Sequence, residues 1–84
     1  MKYIIDIQKK AQKFIRKQSK ENQQRLLNAI YNLPYEGDIK PLKGYVGLMR
    51  LRVGDFRVIY SVDNGQYIIY VIDAGNRGQI YNKY

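Results

Sequence analysis

Arg50 and Arg57 flank a tight Gly54-Asp55 turn, and Arg77 is followed four residues later by Tyr81. These are side chains suited to phosphate chemistry. A guanidinium cannot act as a base near neutrality, but its planar fork can hold two non-bridging phosphate oxygens and offset the extra charge of a pentacoordinate phosphorane. If the phosphate belongs to RNA, the nucleophile is already attached: the 2′-hydroxyl attacks the neighbouring phosphorus in line and leaves a cyclic phosphate, with no need of metal-bound water. A phenol is a weak base, with a reference pKa of about 10, and neighbouring guanidinium groups favour its phenolate. Tyr81 is the candidate for that part.

The composition points the same way by exclusion. The chain has no cysteine and no histidine, which removes disulfides, thiolate chemistry and the usual general base, and argues against a transition-metal site. No metal and no cofactor are therefore expected. At 84 residues there is room for one modest core, so residues 1–84 read as one domain whose function sits on an exposed face. The start, Met1 to Ile7, is too short in its apolar run for a signal peptide, and no run approaches membrane-spanning length, so a soluble cytoplasmic protein without a membrane role is expected. A net charge of +8 implies an anionic partner, either nucleic acid or an acidic protein.

The elements that must position the arginines follow from periodicity. Tyr3 to Ile7 is β-branched and aromatic and reads as a strand, after which Ile7, Ala11, Phe14 and Ile15 recur at helical spacing. Ser19 is placed to cap a second helix, Glu21 favours its positive end, and Leu26, Leu27, Ile30 and Leu33 form its apolar stripe before Pro34 stops it. The basic residues between them, Lys9, Lys10, Lys13, Arg16, Lys17, Lys20 and Arg25, read first as a solvated face. Tyr35 to Tyr45 reads as a connecting loop. Three strands follow, near Val46–Val53, Phe56–Val62 and Tyr67–Asp73, separated by Gly54-Asp55 and Asn64-Gly65, which suit type II′ and type I′ hairpin turns.

Those turns predict a register. A two-residue loop at Gly54-Asp55 pairs Val53 with Phe56, Arg52 with Arg57, Leu51 with Val58 and Arg50 with Ile59. Alternation then turns Met49, Leu51, Val53, Phe56, Val58, Tyr60 and Val62 toward the helices and gathers Arg50, Arg52 and Arg57 on the other face. Like charges on adjacent pairs repel, so an anion is expected there: a phosphate, a partner's carboxylate or a flanking aspartate. Across Asn64-Gly65 the same reasoning pairs Val62 with Tyr67 and Tyr60 with Ile69. That puts Tyr67, Ile69 and Val71 in the core and leaves Ile68, Tyr70 and Ile72 on the arginine face, to be covered by the chain's own tail or by another protein.

Arg50-Leu51-Arg52-Val53-Gly54-Asp55-Phe56-Arg57-Val58-Ile59-Tyr60 and Gly75-Asn76-Arg77-Gly78-Gln79-Ile80-Tyr81 together resemble the RelE/ParE family of toxins from type II toxin-antitoxin systems, most closely the RelE-like ribonucleases. The likeness spans nearly the whole chain. It implies an α+β fold in the order β-α-α-β-β-β, with a helical hairpin packed on one face of a small, largely antiparallel twisted sheet and the first strand beside the meander. It also implies a metal-independent endoribonuclease, an mRNA interferase that enters the ribosomal A site, cuts mRNA by 2′-hydroxyl attack, touches rRNA and is silenced by a cognate antitoxin. Arg50, Arg57, Arg77 and Tyr81 match the catalytic positions, with Arg57 also implied as a proton donor to the leaving oxygen, and Lys43 matches a further basic position. RNA contacts are expected at Lys43, Arg52 and Tyr60, the last despite its place in the helix-facing series. The competing structural roles are tail anchoring for Tyr81, pairing with Asp55 or Asp73 for Arg52, and loop solvation for Lys43.

Three positions depart from the pattern: Leu48 where some members carry a lysine, Asn76 in place of a histidine, and Gly78 in place of a second basic residue. The chain ends at Tyr84, so the additional C-terminal helix of some relatives is expected to be missing. The rival functions are a ParE-like toxin that binds DNA gyrase, and a degenerate RNA or ribosome binder that does not cleave.

Overall fold

The computed structural model describes residues 2–84. Its two longer helices form where apolar periodicity places them. Helix α1 (Lys9–Arg16) buries Ala11 and Ile15 and ends on Lys13 and Arg16, cations that suit the negative end of the helix dipole. Helix α2 (Lys20–Tyr31) buries Leu26 and Ile30 and begins at Ser19, whose Oγ accepts the Asn22 backbone N–H at 3.2 Å, satisfying one of the amide donors left free at a helix start. Among the described residues no helix is long and apolar enough to cross a membrane.

Five strands make one sheet: β1 (Ile4–Ile7), β2 (Asp38–Pro41), β3 (Met49–Val53), β4 (Phe56–Asp63) and β5 (Ile68–Asn76), in the spatial order β1-β5-β4-β3-β2. Strand β1 runs parallel to β5 and the other neighbours are antiparallel. The α+β class, the helical hairpin and the largely antiparallel sheet are as expected, with two additions. Strand β2 lies within the stretch read as a loop, because Gly37, Asp38 and Pro41 look like turn residues. They are tolerated since β2 is an edge strand, where a proline removes no ladder bond. The tail, in which no helix was expected, ends in α3 (Arg77–Lys83). Strand β3 correspondingly starts at Met49 and not at Val46.

The β3–β4 hairpin has the expected register throughout, including Arg52 opposite Arg57 and Arg50 opposite Ile59. Gly54 takes φ +59° at its first turn position, a left-handed conformation that favours glycine. The β4–β5 hairpin differs. Val62 pairs with Ile69 and Tyr60 with Val71, two residues along from the expected partners. Asp63 Oδ1 accepts the backbone N–H groups of Gly65 at 3.0 Å and Gln66 at 3.1 Å, a local cap that widens the loop to Asn64–Tyr67. A shift of two keeps every face, so Ile69 and Val71 are buried as expected, while Tyr67 leaves the core and is 40% exposed.

A bulge between Ile59 and Tyr60 has larger consequences. Tyr60 pairs with Val71 but Ile59 pairs with Asp73, leaving Ile72 as the extra residue. Without it, Asp73 would fall on the helix-facing side. With it, Ala74 enters the main core and Asp73 lies opposite Ile59 on the other face. The main core joins Leu51, Phe56, Val58, Tyr60, Ile69 and Val71 to Ala11, Ile15, Leu26 and Ile30 of the helices. A second, small cluster of Leu42, Ile59 and Ile80 lies under α3 on the opposite face. The chain's own tail therefore covers part of the face that alternation left apolar, and Ile68, Tyr70 and Ile72 remain half-buried beside it.

Candidate functional site

Pairing between β2 and β3 sets Asp38 opposite Arg52 and Lys40 opposite Arg50. On the neighbouring face of α3, Tyr81 follows Arg77 by four residues and shares its side of the helix. Between these elements lies a cleft of about 340 Å³ lined by Lys40, Lys43, Arg50, Tyr81 and Tyr84, with Pro41 and Leu42. Three residues expected from the sequence, Lys43, Arg50 and Tyr81, thus meet in one place. Tyr81 is 45% exposed, whereas Ile80 beside it is 1% exposed on Ile59 and Leu42. Ile80 therefore anchors the tail and leaves the Tyr81 phenol free for other work.

One carboxylate of the chain partly offsets the arginine face, which stays cationic. Arg50 Nη2 lies 3.2 Å from Asp38 Oδ1, and Arg52 Nη1 lies 4.0 Å from Asp38 Oδ2. The flanking aspartate that pairs with these arginines is Asp38, and not Asp55 or Asp73. The Arg50 side chain is 11% exposed and that of Arg52 54%, so Arg50 lines the cleft wall while Arg52 stands at the surface.

Arg57 is 5% exposed. Its Nη1 donates to the Gly54 carbonyl at 2.8 Å and the Phe56 carbonyl at 2.9 Å, and its buried Nε has no hydrogen-bond partner. An open fork gripping a phosphate was expected, and the structure shows a brace on the β3–β4 turn, with two main-chain carbonyls of that turn as its acceptors. Arg77 is exposed at the first position of α3, with its backbone N–H donated to the Asp55 carbonyl at 2.8 Å. A cation there opposes the helix dipole, a local cost of the kind that functional residues often carry. Lys43 is exposed in the loop after β2.

Tyr60 is corrected. Its ring is 1% exposed in the main core on the helix side, and burial raises its pKa, so it faces away from the arginines and cannot contact RNA there. Alternation had already placed it on that side. Sequence reading missed Asp38 and Lys40, which flank Ile39 in a strand-like alternation, and Tyr84, which completes the helical series Arg77, Tyr81, Tyr84. Tyr84 donates its hydroxyl to Asp73 Oδ2 at 3.2 Å and packs edge-on against Tyr45 at 5.4 Å. Its pKa is raised by burial first and by the Asp73 charge second. A second groove of about 440 Å³ lies between α1 and α3, lined by Lys10, Lys13, Lys17 and Lys83 over Asp73 and Ile80. Among the described residues no three of His, Cys, Asp and Glu gather as a metal site.

Comparison with known proteins agrees with this architecture. The family model described as the ParE toxin of the type II toxin-antitoxin system, parDE, matches residues 5–81. RelE in the archaeal RelE-RelB complex of Pyrococcus horikoshii is 30% identical, covers 94% of this chain and 99% of its own, and superposes with a TM-score of 0.74. The toxin-antitoxin complex RelBE2 of Mycobacterium tuberculosis matches over 92% and 100% at 17% identity and a TM-score of 0.77. Isolated Escherichia coli RelE matches over 96% and 93% at 22% identity and 0.66. No curated protein matches the sequence. With a basic cleft formed by β2, β3 and α3, and with the family's model running through β2 and β3 and into α3 as far as Tyr81, the chain belongs to the RelE/ParE superfamily of toxins from type II toxin-antitoxin systems.

Proposed function

We propose that this toxin is a ribosome-dependent endoribonuclease that cleaves mRNA through attack of the 2′-hydroxyl. The observation that carries this reading is the cleft in which Lys40, Lys43 and Arg50 face Tyr81 and Tyr84: cations to hold a phosphate beside a phenol that can hydrogen-bond a ribose hydroxyl or stack on a base. Attack by the 2′-oxygen forms its bond to phosphorus as the bond to the 5′-oxygen breaks, giving a 2′,3′-cyclic phosphate and a 5′-hydroxyl, with the 2′ proton lost to solvent water and a proton supplied by water to the leaving oxygen. Arg50 and Arg77 offset the charge that builds on the phosphorane, Tyr81 orients the attacking hydroxyl, and Arg57 acts from beneath as a fixed charge that holds the turn. Direct proton donation by Arg57 suits its enclosure poorly. The partner is a cognate antitoxin, as in the complexes from P. horikoshii and M. tuberculosis. The net charge of +8 favours an acidic or amphipathic antitoxin segment that folds on binding.

The test is brief induction of the chain beside Arg77→Ala and Tyr81→Phe variants, with new RNA 5′ ends mapped in translated and untranslated messages. New ends confined to translated frames, and missing in both folded variants, are the expected result. Growth arrest without new ends would overturn the reading.

A second reading, a toxin that binds DNA gyrase, is favoured by the ParE description of the matching family and by the internal pairing of Arg50 and Arg52 with Asp38. It predicts inhibition of gyrase supercoiling by the purified toxin with RNA left intact. Departures at Leu48, Asn76 and Gly78 keep a third outcome measurable, in which the toxin binds RNA or ribosomes and neither cuts RNA nor inhibits gyrase.

A further inference from the structure

Asp73 is the least accessible carboxylate placed beside the cleft, at 1% exposure, and the cleavage reading above gives it no part. Its Oδ1 accepts the Ala74 backbone N–H at 2.9 Å. Its Oδ2 gathers three groups from two helical segments: Lys10 Nζ of α1 at 3.7 Å, Lys83 Nζ of α3 at 3.5 Å and the Tyr84 hydroxyl at 3.2 Å. Strand β1 pairs with β5 only from Ile68 to Val71, and the bulge at Ile72 then turns Asp73 out of the helix-facing series. A carboxylate at this position is therefore delivered by an irregularity of the strand, and it meets the last turn of the helix that carries Tyr81.

Helix α3 has few other fixed points. It is seven residues long, too short to persist without docking. Its first backbone N–H is held by Asp55, Ile80 is buried in the small cluster with Leu42 and Ile59, and Tyr84, just past its end, packs against that cluster and edge-on against Tyr45. Successive residues turn by about 100°, so Ile80 alone lets the helix roll about its plug and swing Tyr81 away from Arg50. Tyr84 lies one turn beyond Ile80 on nearly the same side, bonds Asp73 and lines the same cleft as Tyr81. A second attachment there sets the roll.

We propose that Asp73 is a positioning residue: its buried carboxylate clamps Lys83 and Tyr84 to the sheet and to Lys10 of α1, and thereby sets where Tyr81 stands over Arg50. The effect on cleavage rests on the ribonuclease reading, whereas the clamp itself is a property of the fold.

Two readouts keep those apart. Amide hydrogen exchange on the purified full chain is expected to show lost protection at Ile80 to Lys83 in Asp73→Asn, with β3, β4 and β5 unchanged; unaltered α3 protection would overturn the clamp. Cleavage of one message in a translation extract at saturating toxin is expected to slow by roughly 10- to 100-fold in Asp73→Asn, with the half-saturating toxin concentration little changed. In a Tyr81→Phe background the same substitution is expected to cause no further loss, because both act through one group. Losses that multiply would assign Asp73 a purely structural role and overturn the proposal. If wild type cuts no RNA, the ribonuclease reading falls and hydrogen exchange alone decides the clamp. If Asp73→Asn loses sheet protection as well, Tyr84→Phe, which removes a single hydroxyl, carries both measurements with the same expected and overturning results.

Discussion

At the scale of single residues, two arginines that look equivalent in the sequence do different work. Arg57 is enclosed and donates to the carbonyls of Gly54 and Phe56, so Arg57→Ala removes two buried charge-assisted hydrogen bonds and is expected to cost about 1.5–3 kcal/mol in urea unfolding. Arg77 is exposed and opposes the helix dipole, so Arg77→Ala is expected to change stability by no more than about 0.5 kcal/mol while abolishing new RNA ends. Loss of stability in the second variant and not in the first would reverse these assignments. Asp38 bridges Arg50 and Arg52 from a half-exposed position, where such a pair contributes about 1 kcal/mol or less. Asp38→Asn is therefore expected to leave folding nearly intact and to tighten binding of single-stranded RNA, with a steeper dependence on salt as more cations face phosphate. Unchanged affinity and slope would show that the two arginines do not meet the RNA backbone.

At the scale of elements, the helical hairpin and the tail helix are held by very different amounts of core. Leu26 and Ile30 of α2 are fully buried in the main cluster, so Leu26→Ala is expected to cost about 2–5 kcal/mol of global stability. Ile80 is equally buried but belongs to a cluster of three, and Ile80→Ala is expected to release α3 locally, abolishing cleavage while the urea midpoint moves far less than for Leu26→Ala. Similar midpoints for the two would mean that α3 is part of the cooperative unit. The difference in legibility has the same origin. Helices α1 and α2 and the β3–β4 hairpin announce themselves through apolar periodicity and one glycine turn. Strand β2 and helix α3 have little apolar pattern, since each is docked by long-range contacts: β2 by its ladder to β3, and α3 by Ile80 and Asp73. The Arg77, Tyr81, Tyr84 spacing was the one available sign of the helix.

At the scale of the molecule, one sheet separates a large apolar core under α1 and α2 from a polar face on which α3 closes a small cleft. Two phenols tie both faces to pH. Burial raises the pKa of Tyr60, and burial followed by the Asp73 charge raises that of Tyr84. A folded-state pKa above the unfolded value of about 10 means that the neutral phenol contributes stability fully present below that pH and lost as pH rises through the folded value. Urea midpoints are thus expected to hold up to about pH 10 and fall above it, with a shallower fall in Tyr84→Phe; a fall beginning near pH 8 would implicate other groups. The sequence by itself determined the β3–β4 register, the gathering of Arg50, Arg52 and Arg57 on one face and the family likeness, because alternation and a two-residue turn are local rules that tertiary packing did not override. The tertiary structure alone decided that Arg57 is enclosed, that Asp38 partly offsets Arg50 and Arg52, and that a bulge delivers Asp73 to α3. Those outcomes depend on which distant segment fills the neighbouring space, and spacing along the chain does not encode it.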